Sequence, residues 1–107
     1  MAEPHPIDRL FALIAARKGA DPQSSYTAQL LQKGVAHCAK KLGEEAVETA
    51  LAAVSGDRGA ITAESADLLY HLLVTWAATG VTPAEVYAAL EAREGRSGLA
   101  EKAARKS

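Results

Sequence analysis

The sequence has 107 residues, which is the size of one domain, and a core of that size buries roughly 65% of the surface of the unfolded chain. Apolar residues at 49% and charged residues at 23% exclude a disordered chain, while a net charge of −1 excludes a general nucleic-acid or anionic-membrane binder. Alanine occurs 24 times and aromatic residues make up only 5%, a composition that favours closely packed helices and leaves a thin core for a second copy to complete.

In chain order, Ile7–Lys18 carries Leu10, Phe11, Leu13 and Ile14 at helical spacing and stops at Gly19. A polar loop containing Asp21-Pro22 follows. The second helix takes Ser24 or Ser25 as its N-cap and ends at Lys33-Gly34. The third spans Val35–Val54, with Gly43 inside it at a cost of about 1 kcal/mol relative to alanine, a choice that a close approach by a backbone or ligand would explain. The fourth spans Ala60–Thr79 and stops at Gly80. The fifth opens on Thr82-Pro83-Ala84-Glu85, which combines an N-cap, a first-position proline and a capping-box glutamate, and runs to Glu94. The expected organisation is one all-α domain over residues 1–94, a bundle of about five helices, and a flexible tail over 95–107 with four basic residues against one acidic. The lone Cys38 rules out an intramolecular disulfide. The first residues lack the layout of a signal peptide and no apolar run has the length of a membrane span, so a cytoplasmic location is expected.

The chemistry lies in two acidic clusters. On the third helix Leu42, Ala46, Val47, Ala50, Ala53 and Val54 fall within an arc of roughly 140° and are expected to face the core. Glu44, Glu45 and Glu48 occupy a separate arc, with His37 and Lys41 on the same side. Taken alone, this is a solvated face with Lys40–Glu44 and Lys41–Glu45 pairs. The fourth helix alters that reading. Leu68, Leu69, Tyr70, Leu72, Leu73, Val74, Trp76 and Ala77 surround it on nearly every side, as in a buried helix, yet Glu64, Asp67 and His71 form a narrow polar stripe. Buried carboxylates need compensation, and Ala60–Thr79 contains no lysine or arginine. A short connection makes the two helices antiparallel neighbours, which lets Glu48 and Glu64 face each other. The converging acids would need a divalent cation, and oxygen ligands suit magnesium or manganese. Alternatively, Lys40, Lys41 or an arginine of another protomer completes a buried network. A third possibility, that Glu64 only favours the helix dipole, leaves Asp67 unexplained. A carboxylate-held magnesium ion keeps positions for water and phosphates, which points to metal-dependent phosphoanhydride chemistry without naming a substrate.

Lys40-Lys41-Leu42-Gly43-Glu44-Glu45-Ala46-Val47-Glu48 followed by Glu64-Ser65-Ala66-Asp67-Leu68-Leu69-Tyr70-His71 resembles the EExxE…ExxD pattern of the all-α, MazG-type nucleotide pyrophosphatases. Within them it resembles the phosphoribosyl-ATP pyrophosphohydrolases of histidine biosynthesis, as do Ser25-Tyr26-Thr27-Ala28-Gln29-Leu30-Leu31 and Ser97-Gly98-Leu99-Ala100-Glu101-Lys102-Ala103. The resemblance covers nearly the whole chain. It implies hydrolysis of 1-(5-phosphoribosyl)-ATP to 1-(5-phosphoribosyl)-AMP and pyrophosphate by a helical bundle completed by dimerisation. It further implies that Glu45, Glu48, Glu64 and Asp67 are magnesium ligands, with Glu44 a further ligand or a base that orients water.

Around these acids, Lys40 and Lys41 are candidate phosphate contacts or plain helix-pair partners. Tyr26 and Thr27 lie at a helix N-terminus that favours anions, and Arg93, Arg96 and Lys102 give the C-terminal end a basic character suited to a polyanionic substrate. His71 is expected to pack or hydrogen-bond rather than ligate, because magnesium prefers oxygen. Cys38, Trp76 and Phe11 are expected in the core. Two rivals to the expected activity are a house-cleaning nucleoside triphosphate pyrophosphatase of the same fold and a non-enzymatic helical dimerisation module.

Overall fold

The computed structural model describes residues 4–94, and the expectations about the tail, including Arg96 and Lys102, lie outside the described residues. Five α-helices and no strand occur among them: α1 Pro6–Ala16, α2 Tyr26–Lys33, α3 Val35–Ser55, α4 Arg58–Thr79 and α5 Pro83–Arg93. None is long and apolar enough to cross a membrane.

The boundaries follow from capping chemistry. Ser25 Oγ accepts the Ala28 amide at 3.1 Å and starts α2. Thr82 and Glu85 form the expected reciprocal capping box that starts α5. Asp57 Oδ1 accepts the amides of Gly59 and Ala60, so α4 begins at Arg58, two residues earlier than the apolar pattern indicates. At the other end of the chain α1 stops at Ala16, two residues short of Lys18, because the chain leaves the helix in consecutive turns before Gly19. Gly56 and Gly80 close α3 and α4 in the left-handed conformation, with φ of 76° and 80°, where a side chain would be strained.

The antiparallel α3–α4 hairpin is the centre of the molecule, with α1 and α2 packed against it and α5 against α1. Ile14, Leu30, Cys38, Leu73, Val74 and Ala77 form the buried cluster, so the core gathers at the end of the hairpin away from Gly56. Phe11 and Trp76 pack partly buried against it. The Cys38 thiol donates to the Leu30 carbonyl at 3.2 Å, which ties α3 to α2.

The expected core stripe of α3 is not the face that packs. Val47 is 60% exposed and Val54 87%, and Ala46, Ala50 and Ala53 are exposed with them, while Leu42 is only partly covered. The buried positions are Cys38 and Ala52, on the side that also carries Glu45 and Thr49. The acidic side of α3 therefore meets α4, and the most apolar side faces outward together with Leu51, which is 65% exposed. On α4 the outward position Leu69 is also uncovered. The space beside Gly43 is open, so no close approach among the described residues accounts for that glycine.

Candidate active site

Glu45 and Glu48 are one turn apart on α3, and the return of α4 brings Glu64 opposite them. One carboxylate oxygen from each of the three lies within 4.8 Å of the others. Among the described residues, Glu45 Oε2 and Glu64 Oε2 are both buried without a hydrogen-bond partner. Their approach to Glu48 supplies a partner only when one of the groups holds a proton, since ionised carboxylates are acceptors alone.

Electrostatics follow from that crowding. Burial, then the charge and contact of Glu48, then Asp67 and Glu64, push the Glu45 carboxyl above the usual range. Burial, followed by Glu48 and Asp67, does the same to Glu64. Asp67 is exposed one turn beyond Glu64 and acts on both groups through its charge, without joining the three converging oxygens.

Glu44 turns the other way. Its Oε1 pairs with Lys41 Nζ at 3.3 Å, an i,i+3 contact in place of the expected Lys41–Glu45 pair. The Glu44 contact is also the main reason the Lys41 ammonium titrates above its ordinary value. Lys40 is exposed. At the N-terminus of α2 the Thr27 and Tyr70 hydroxyls are 2.5 Å apart, while Tyr26 stands half-exposed. His71 is buried at 6% exposure, with its ring edge-on to Tyr26 at 6.3 Å and to Tyr70 at 5.0 Å. Burial, with Lys41 adding to it, holds its imidazole below the usual pKa, partly offset by Asp67 and Glu44. Arg93 is in the last turn of α5. A surface cavity of about 340 Å³ lies near Asp21, Pro22 and Leu31 and includes none of these carboxylates, so chemistry rather than volume marks the site.

The donor set fits a hard divalent cation: carboxylate oxygens only, two of them buried and unpartnered, and the one thiol engaged elsewhere. Thr49 is a residue at this site that the charge pattern does not single out. Its hydroxyl lies 2.8 Å from the Glu45 carbonyl and 3.1 Å from that of Glu64. The available signal is its spacing of four from Glu45 on the side of α3 that meets α4.

Residues 7–94 match the profile of the phosphoribosyl-ATP pyrophosphohydrolase family. The chain belongs to that family. It is 69% identical over 104 residues to the phosphoribosyl-ATP pyrophosphatase of Parvibaculum lavamentivorans, covering 97% of this chain and 95% of the relative. It is 60% identical to the enzyme of that name from Azospirillum brasilense, covering 94% and 91%, and 63% identical to one from Cereibacter sphaeroides, covering 92% and 96%. Membership makes the chain a hydrolase and sets aside the non-enzymatic dimerisation module.

Proposed function

We propose that the chain hydrolyses the α–β phosphoanhydride of 1-(5-phosphoribosyl)-ATP, releasing 1-(5-phosphoribosyl)-AMP and pyrophosphate in the second step of histidine biosynthesis. The observation that carries this reading is the convergence of Glu45, Glu48 and Glu64 with two buried oxygens lacking partners, in a chain whose family match spans residues 7–94. Glu45, Glu48, Glu64 and Asp67 would hold magnesium, or manganese in its place. When bound, the ion supplies charge neutralisation for the phosphates and a lower pKa for water.

The remaining work belongs to the chain's own groups. Glu44 stands outside the three-oxygen cluster, which favours it as the base that takes the proton as water oxygen joins phosphorus and the bridging bond breaks. Glu45, next to Glu44 in the sequence, is assigned to the same step. Lys40, Lys41, Tyr26, Thr27 and Arg93 of a catalytic domain over 1–94 are assigned to substrate phosphates, as are Arg96 and Lys102, which lie outside the described residues. The assembly is a homodimer working in the cytoplasm. The outward Val47, Leu51 and Val54 support the second copy, since three exposed apolar side chains on successive turns form a continuous surface.

The test is the pyrophosphate yield from purified protein given phosphoribosyl-ATP or a panel of ordinary nucleoside triphosphates, with and without EDTA. Preferential, EDTA-sensitive release from phosphoribosyl-ATP is expected. Equal or better turnover of the panel would favour the house-cleaning pyrophosphatase, and full activity in EDTA would remove the metal from the account.

A further inference from the structure

Several threonines of the fold turn their hydroxyls back onto the carbonyl four residues earlier. Thr62 does so to Arg58 at 2.8 Å, Thr75 to His71 at 2.8 Å and Thr79 to Thr75 at 2.9 Å. Thr49 makes the same bond to Glu45, but its oxygen also reaches the Glu64 carbonyl on the neighbouring helix. A hydroxyl carries one proton, so the two carbonyls share it in a three-centre bond. Those carbonyls belong to the two residues whose Oε2 atoms are buried without partners.

This juxtaposition matters because the acids oppose it. Carboxylate oxygens of Glu45, Glu48 and Glu64 lie within 4.8 Å of one another, so without a cation their like charges push α3 and α4 apart. Apolar cover at this level is thin, with Ala52 the buried apolar residue of α3 on the Gly56 side of the cluster. A glutamate side chain is long, and whether two of them converge on one point depends on the separation of their backbones.

We infer that Thr49 is a positioning residue of the cation site: its hydroxyl clasps the backbones of Glu45 and Glu64 and sets the distance at which their carboxylates share an ion. The inference rests on the metal-binding reading given above. It concerns ion affinity, because the Thr49 hydroxyl is engaged by two backbone carbonyls.

The experiment titrates full-length protein with manganese and follows the free ion by its electron paramagnetic resonance signal, with helical content measured alongside. Thr49→Val keeps shape and removes the hydroxyl, and it should weaken manganese binding about tenfold, the lower end of what loss of an outer-shell partner costs. Thr49→Ser should restore affinity to within about twofold of wild type, since the hydroxyl and its bond are retained. Thr75→Val, which loses the same within-helix bond at a similarly part-buried position, should bind as wild type does. Wild-type affinity in Thr49→Val would overturn the inference, as would equal weakening in Thr49→Ser or Thr75→Val. Thr49→Ala answers the same question should the valine variant fail to fold. A wild-type protein that takes up no manganese overturns the metal reading itself, a result distinct from a wild type that binds and a Thr49→Val that binds equally.

Discussion

The two ends of the α3–α4 hairpin solve different problems with the same pair of helices. Away from the Gly56 turn, Cys38 of α3 and Leu73, Val74 and Ala77 of α4 are joined by Ile14 of α1 and Leu30 of α2, and the cluster excludes water. Nearer the turn the contact between the helices is made of Glu45, Glu48, Glu64 and the Thr49 hydroxyl. The first end gains stability from burial. The second loses it, because desolvated like charges raise the free energy of the metal-free fold. The apolar end thus holds the helices in register so that the acidic end can exist without collapsing or splaying.

The largest effect should come from breaking the apolar end. Leu73 is completely buried, so Leu73→Ala should cost about 3 kcal/mol in urea unfolding through lost transfer energy and the cavity left behind. Manganese affinity of the folded fraction should change little. Next, Glu64→Gln should abolish stabilisation by magnesium while raising the melting temperature of metal-free protein, as differential scanning calorimetry would report. A lower metal-free melting temperature would show that the acids are already satisfied by other groups.

The pH dependence sharpens the same contrast. A carboxyl whose pKa is raised by folding gives stability that is fully present below its ordinary value of 4.5 and is lost as pH rises through the folded value. His71 acts in the opposite sense: its lowered pKa gives stability present above 6.5 and lost as pH falls through the folded value. Subtracting the stability profile of Glu45→Gln from that of wild type isolates the acidic contribution. The metal-free difference should become more unfavourable to wild type as pH rises from 4.5, and magnesium should flatten or reverse it. The smallest effect is expected at Lys41. Its ion pair with Glu44 is exposed and screened by solvent, so Lys41→Ala should leave the urea unfolding midpoint almost unchanged. If Lys41 meets substrate phosphates, KM should nonetheless rise several-fold in steady-state kinetics.

Much of this contrast is legible in residue order. Caps at Ser25 and Thr82-Pro83 and stops at Gly34, Gly56 and Gly80 are local chemistry, so all five helices could be read, with errors of two residues at Ala16 and Arg58. The spacing of Glu45, Glu48 and Glu64 was readable because an antiparallel hairpin with a short turn fixes which positions face each other. The facing side of α3 was not. Val47, Leu51 and Val54 carry more apolar surface than Cys38, Glu45 and Ala52, so periodicity alone selects the wrong side when the acids themselves form the contact. Thr49 was invisible for a related reason: four threonines make the same within-helix bond, and only tertiary structure gives one of them an acceptor on another helix.

Anomalous scattering from crystals grown in excess manganese would show whether the three carboxylates share a cation. An anomalous peak between the carboxylates of Glu45, Glu48 and Glu64, lost in Glu64→Gln, is the predicted result. No peak at that position, with the three side chains turned apart into solvent, would contradict it.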